Sequence, residues 1–445
     1  MKQHDFTTGG IFKKMLIFSA PIMLTNMLQV SYQFADSLWV GNLLGANALG
    51  AVAISSTVVF TVLSFIIGLN NATLTVLSQQ KGKDEEDGLR RYLNAFVVLL
   101  SFMSVVLATL GFLFSVHILR LLGTPEAMMS DANTYLRIIF VGMVFLVGYN
   151  FIGTVLRALG DSRTPLRFVL AAVILNIGLN PLFISGLNLG ISGAAYSTIA
   201  AQGASFLYGM FIVLRHKLAP FQWPKWPRKK EVLLILNLGI PSGLQMSVIS
   251  AGIAAVMSVV TTFGEGVVAG FSAAQRIDSI FILPAMAIGT AVNSMAGQNI
   301  GVHKWDRVEQ IAKYGTWVVL GIMAIIASVV YFVAPLGIQL FITEPAAVAY
   351  GASYLQLVAL FYPFLGINFV LNGVVRASGA MYQVLVLNII SFWVLRYPLT
   401  YLFSSLYDQQ GIAVGIGASF VLSSMFAYLY YRYGGWRKKV LFEKA

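Results

Sequence analysis

The chain has no cysteine, which excludes zinc–thiolate and thiol chemistry and leaves no disulfide to hold a fold. Charge is scarce. Asp, Glu, Lys and Arg make up 10% of the 445 residues, against about 25% in a soluble globular domain. Acids are the scarcer sign, 17 against 29 basic residues. The four histidines, His4, His117, His216 and His303, all fall at or beyond the ends of apolar runs, so a buried histidine-based active site has no material. No G-x-x-x-x-G-K-[ST] loop, G-x-S-x-G elbow or H-E-x-x-H is present, which removes ATP hydrolysis by that loop and two hydrolytic chemistries. Nothing reads as a cleaved leader: the first apolar run is too long, no A-x-A site follows it, and an anchor that stays is expected.

What remains is apolar. Hydrophobic residues form 58% of the chain, in runs of about 20–30 rather than in the alternating ten-residue segments of a membrane barrel. The expected fold is therefore an all-α polytopic membrane protein. Twelve spans are placed at 13–40, 47–79, 91–116, 130–156, 164–185, 191–214, 231–262, 267–299, 309–332, 351–375, 382–405 and 411–432. Those longer than about 20 residues must tilt, bend or project into water. Basic residues cluster in alternate connections: Lys2, Lys13 and Lys14, then Lys81 to Arg91, Arg157 to Arg167, Arg215 to Lys230, Lys304 and Arg307, and finally Arg432 to Lys439. The intervening loops around 42–46, 186–190, 263–266, 333–350 and 406–410 carry none, which puts both termini on the cytoplasmic side. The net charge of +12 is thus spread between spans, where phospholipid headgroups explain it and a nucleic-acid face does not.

A repeat runs through the chain at an offset of 219–220 residues, pairing Pro21 with Pro241, Gly50 with Gly270, Gln79 with Gln298, and LRALG (156–160) with VRASG (375–379). The expected organisation is an N-terminal six-helix lobe (1–214), a cytoplasmic linker (215–230) and a C-terminal six-helix lobe (231–445). Six spans is an even number, so both halves share one topology and are expected to be related by a pseudo-two-fold axis along the membrane normal. The linker, RHKLAPFQWPKWPRKK, is interrupted by proline, and Trp223 and Trp226 suit the headgroup layer.

The first span carries the chemistry. At 100° per residue, Thr25, Asn26, Gln29, Tyr32, Gln33 and Asp36 share a face about 120° wide. A carboxylate inside a span costs roughly 2.5–3.5 kcal/mol on insertion scales, so it marks a cavity or relay. Asp36 lies roughly 7 Å below the outer end of its span. Asn176 and Asn180 of NIGLNP in span 5, and Thr198 in span 6, fall at a comparable depth, and Asp36, Asn176, Asn180, Thr198 and Tyr32 form a candidate hydrogen-bonded pocket. For the three neutral residues the plain alternative is a cluster that ties helices together. The second half has no such acid: the repeat aligns Asp36 with Ala255 or Val256. Its intramembrane charges are Arg276, Asp278 and Arg396, and the depths of Asp278 and Arg396 predict a structural ion pair.

Twelve spans in two parallel repeats, with ADSLWVGNLLG closing span 1, LRALGDSRTP after span 4, NIGLNP in span 5 and AAQRIDSIFILPAMAIGTAVNSMAGQNIG in span 8, resemble the multidrug and toxic compound extrusion (MATE) transporters, most of all their DinF-type branch. The resemblance covers essentially the whole chain. It implies export of amphiphilic, often cationic drug-like compounds against protons or sodium ions, hence antibiotic resistance, and no enzymatic activity. It implies further that Asp36 is the span-1 aspartate, Tyr32 the tyrosine one turn earlier, and Asn176 and Thr198 members of the same cluster. Asn180 departs from the branch, which often has Asp before the span-5 proline. The span-7 and span-10 acids of the NorM-type branch are missing here.

The residues therefore lead to a proton-coupled multidrug antiporter of the inner membrane that works by alternating access. Asp36, Asn180, Asn176, Thr198 and Tyr32 serve the ion; Asp36, Gln33, Gln29, Asn26 and Tyr32 serve the substrate. No cofactor or metal is expected beyond the coupling ion, which is a proton or, alternatively, sodium. Amphiphilic organic cations and the bilayer are the expected partners, and the chain is expected to act as a monomer. A flippase for a lipid-linked saccharide is the other transport reading; it calls for a cavity rich in Arg and Lys, and only Arg276 and Arg396 lie well inside spans.

Overall fold

In the hydrocarbon layer no backbone N–H or C=O can turn to water, so a chain this apolar must satisfy them within helices. The structure is a computed structural model that describes residues 3–439, 441 and 442; Lys2, among the basic residues of the N-terminus, lies outside them. Among the described residues every regular element is a helix. In the first half these are α1 (Ile11–Leu44), α2 (Ala46–Gly82), α3 (Glu86–Leu121), α4 (Glu126–Val141), α5 (Met143–Ala158), α6 (Arg163–Pro181) and α7 (Gly190–Arg215). The second half follows with α8 (Lys229–Val260), α9 (Glu265–Phe281), α10 (Leu283–Gly301), α11 (Trp305–Gln339), α12 (Pro345–Ala359), α13 (Tyr362–Ala377), α14 (Met381–Ile389), α15 (Tyr397–Tyr407) and α16 (Gly411–Tyr433).

Nine stretches among the described residues are long and apolar enough to cross a membrane, and two bent helix pairs bring the number to eleven. The longest, Met381–Tyr433, has 53 residues, about 80 Å as a single helix and far beyond the thickness of a bilayer. It doubles back where Asp408 takes a φ of 52°, so α16 returns along α15 and the stretch makes two crossings. The total is twelve.

Two of the twelve bend sharply where the hydropathy pattern predicts one continuous span. The fourth, expected over 130–156, breaks by 53° between α4 and α5, and the tenth, expected over 351–375, breaks by 52° between α12 and α13. The first break falls on Gly142, where a methyl group would meet the Ile199 side chain at 2.4 Å; the second is followed by Pro363 at the start of α13, which has no N–H to continue the helix before it. The eleventh runs from α14 into α15 through a π-helical segment, Ile390–Arg396.

Two compact units divide the chain: Met1–Asp5 with Leu24–Gly239, and Phe6–Met23 with Ile240–Ala445. The division departs from a cut at the linker in two places. The start of α1 belongs to the second unit, where Phe6, Met15, Phe18 and Ile22 are buried with Val292, Met295 and Val319. The start of α8 belongs to the first, where Gly239 lies so close to Leu69 that a methyl group would sit 2.8 Å from its side chain. In both helices the changeover falls within three residues of the repeat-related proline, Pro21 or Pro241.

In the first unit Val40, Val52, Tyr135, Ile139, Leu146, Ile184 and Ala194 form a buried cluster that joins α1, α2, α4, α5 and α7. After Pro181 the sixth helix widens into a π-helical turn, Leu182–Gly186, and α7 lies directly on its backbone. A methyl group at Gly193 would stand 2.6 Å from the carbonyl of Phe183. Gly193→Ala is therefore expected to lose about 1–3 kcal/mol through overpacking, read as a lower midpoint of thermal unfolding in detergent. Gly178→Ala, with nothing within 4 Å, is expected to be neutral or slightly stabilising.

Candidate functional site

The polar face of α1 meets α6 at the depth where Pro181 ends the α-helical run. Asn180 donates its amide N–H groups to Oδ1 of Asp36 and to Oδ1 of Asn176, both at 3.0 Å. Asn176 in turn donates to the Tyr32 hydroxyl oxygen at 3.0 Å. Ser197, on α7, donates to Oδ1 of Asn180 at 2.5 Å. Asp36, Asn176, Asn180 and Ser197 are all buried. The spacing explains the pattern: Tyr32 and Asp36, like Asn176 and Asn180, are four residues apart, so each helix offers two side chains one above the other on one face.

Of the residues singled out from sequence, the structure brings Asp36, Tyr32, Asn176 and Asn180 into one hydrogen-bonded chain. Thr198 is buried beside it, next to the phenols of Tyr32 and Tyr135, but among the described residues its Oγ1 has no hydrogen-bond partner. Its neighbour Ser197 closes the chain instead, because α7 is anchored at Gly193 and Ser197 is the residue one turn further on. Gln29 lies beside Tyr149, Asn26 is partly buried and Gln33 is exposed; none of the three bonds to the Asp36 chain among the described residues. Tyr135 and Tyr149, delivered by the two arms of the broken fourth span, complete the surroundings and were not expected from sequence.

The chemistry follows from what is not charged. Ion pairs join Arg90 to Glu86 and Arg437 to Glu309, and neither involves Asp36. Among the described residues Asp36 has amide and hydroxyl neighbours and no cationic partner. Such a carboxyl group can take up or release a proton or a cation without breaking an ion pair. Among the described residues no three of His, Cys, Asp and Glu gather as a metal site.

The second unit corrects one expectation. Asp278 and Arg396 do not form an ion pair among the described residues. Asp278 accepts a hydrogen bond from the Tyr362 hydroxyl, and Arg396 donates from Nε to Ser419 Oγ at 3.2 Å. The π-helical segment that ends at Arg396 turns its side chain out of the register an α-helix would give, toward α16.

Comparison with known proteins places this architecture. The MatE family model matches the chain twice, over residues 21–182 and 241–402, at the offset already seen in the repeat. The chain is 61% identical over 444 residues to the probable multidrug resistance protein YpnP of Bacillus subtilis, covering 100% of both chains. It is 31% identical over 442 residues to the probable multidrug resistance protein YoeA of the same organism, covering 97% of this chain and 95% of that one. Among solved structures, a MATE protein in complex with MaL6 is similar in fold, with a TM-score of 0.92 at 23% identity, over 99% of this chain and 100% of that one.

The hydrogen-bond chain predicts a ranking of substitutions. Asn180→Ala removes three bonds and Tyr32→Phe only one. The first is expected to cost about 1–3 kcal/mol and the second about 0.5–1.5 kcal/mol, measured as the shift in thermal unfolding of the purified protein.

Proposed function

The chain belongs to the MatE family of multidrug transporters, and on that footing we propose that it exports amphiphilic organic cations in exchange for protons, with Asp36 as the exchanging carboxylate. The supporting observation is the buried carboxylate of Asp36, hydrogen-bonded to the Asn180 amide with no cationic side chain among the described residues paired to it. A proton suits this site better than sodium. Oδ1 of Asn176 and Oδ1 of Asn180 already accept hydrogen bonds, and a sodium ion would have to take those oxygens away, whereas a proton needs a single carboxylate oxygen. Tyr32, one turn before Asp36, favours the DinF-type branch.

In the proposed cycle Asp36 takes a proton from outside. Without its charge it releases a cationic compound and loses its present bond to Asn180. Access to the site then passes to the cytoplasmic side, where Asp36 gives up the proton and binds the next cation. Competition of proton and cation for one carboxylate is the coupling, and it is reciprocal by linkage. A potential of 100 mV adds about 2.3 kcal/mol for each charge moved. The alternation of basic loops favours both termini in the cytoplasm, in a cell membrane of the inner, cytoplasmic type. The chain is proposed to act as a monomer.

Uptake of a fluorescent organic cation into proteoliposomes tests this. An imposed pH gradient is expected to drive uphill movement by the wild type and not by Asp36→Asn, which keeps its fold. A response to a sodium gradient alone would overturn proton coupling and turn Asn176 and Asn180 into ion ligands. No response to either gradient would overturn the exporter itself.

A further inference from the structure

The second unit contains a counterpart of the Asp36 pocket in which the charges are rearranged. In the first unit Gly193 rests on the backbone of Phe183 and Ile184, and Ser197, four residues later, bonds to Asn180. In the second unit Gly415 rests on the backbone of Leu399 and Thr400, and Ser419, four residues later, bonds to Arg396. One turn before Asn180 is Asn176, bonded to Tyr32. One turn before Arg396 is Phe392, packed on Gly252, which is Tyr32's match in the repeat. In its bond to the serine Arg396 takes the part that Asn180 takes in the first unit, and buried Val256 stands where the repeat puts Asp36. The carboxylate comes from a different helix: Asp278 on α9.

This pocket holds two opposite charges that do not touch. Asp278 is bonded to Tyr362 of α13, and Arg396 interacts with it, and with Tyr354 of α12, only at a distance. The guanidinium lies 3.9 Å from the Phe392 ring centroid and 4.8 Å from that of Phe420. Its Nε is taken by Ser419, and among the described residues its terminal nitrogens have no hydrogen-bond partner. Both charged side chains retain some exposure. In a low-dielectric interior direct contact would best repay the desolvation of such a pair. Separation instead leaves each charge able to receive a group of opposite sign. A simple cation would meet Arg396, and a simple anion would meet Asp278.

We infer that the Asp278–Arg396 pocket binds the zwitterionic end of an amphiphilic aromatic substrate, its carboxylate on Arg396 and its cationic group facing Asp278. The planar fork of Arg396 matches a carboxylate, and the flanking phenylalanines offer faces to a flat ring. The assignment rests on the exporter reading and extends its substrates from cations to zwitterions.

Binding of two dyes to the purified full-length protein in detergent, followed by fluorescence anisotropy, separates the claims. Rhodamine B is a zwitterion at neutral pH; its ethyl ester lacks only the carboxylate charge. Arg396→Gln is expected to weaken rhodamine B binding at least about tenfold, the loss of one hydrogen-bonded charge, and to change the ester's by less than about twofold. Arg396→Lys, which keeps the charge without the fork, is expected to recover part of the rhodamine B affinity, and it guards against misfolding of the glutamine variant. Equal weakening of both dyes, or none of either, would overturn the subsite while leaving export intact. Failure of both dyes to bind the wild type would count against the exporter reading as well as this one.

Discussion

A carboxylate in a membrane span has to be held by something, and here the holder is an amide. Asn180 gives its two N–H groups to Asp36 and Asn176 and takes a hydrogen bond from Ser197, so one side chain ties α1, α6 and α7 together. An amide satisfies the acid without neutralising it, as Lys or Arg would. Much of the local fold serves this contact. Pro181 ends the α-helical run beside Asn180, the π-helical turn after it brings the chain under Gly193, and the contact at Gly193 sets Ser197 one turn above. The break at Gly142 lets one span supply both Tyr135 and Tyr149 from differently directed arms.

Duplication gave the protein two copies of this scaffold, and the copies have diverged at their polar positions while keeping the backbone. Gly193 and Gly415 make the same close approach, and Ser197 and Ser419 the same reach to the preceding span. Within that shared frame one unit has an acid among amides, and the other a guanidinium between two aromatic rings with an acid nearby. Close packing fixes where side chains point; which charge stands at each position is free to change. The family, the helical fold and the transporter class follow from the scaffold, and the ligand chemistry follows from a handful of side chains.

Much of this was legible in the sequence because the helical period is reliable over a single span. Four-residue spacing placed Tyr32 with Asp36 and Asn176 with Asn180, and comparable depths brought the two pairs together. Thr198 was expected where Ser197 is found, since adjacent residues differ by 100° and the phase of α7 depends on a contact at Gly193 that no periodicity reveals. Asp278 and Arg396 were expected to pair because equal depth was read as contact; the π-helical segment ending at Arg396 breaks the register that reading assumed. The passage of α1 and α8 between units near Pro21 and Pro241 depends on long-range packing, which a local pattern does not encode.

The central claim is that proton and cation compete for Asp36, and proton release on substrate binding measures it most directly. Purified protein in weakly buffered detergent, at a pH where the carboxyl is protonated, would be titrated with an organic cation while a pH indicator reports the protons set free. The account predicts about one proton released per cation bound by the wild type, and none by Asp36→Asn, whose amide has no proton to give. Equal release from both proteins, or binding by the wild type with no release, would contradict it.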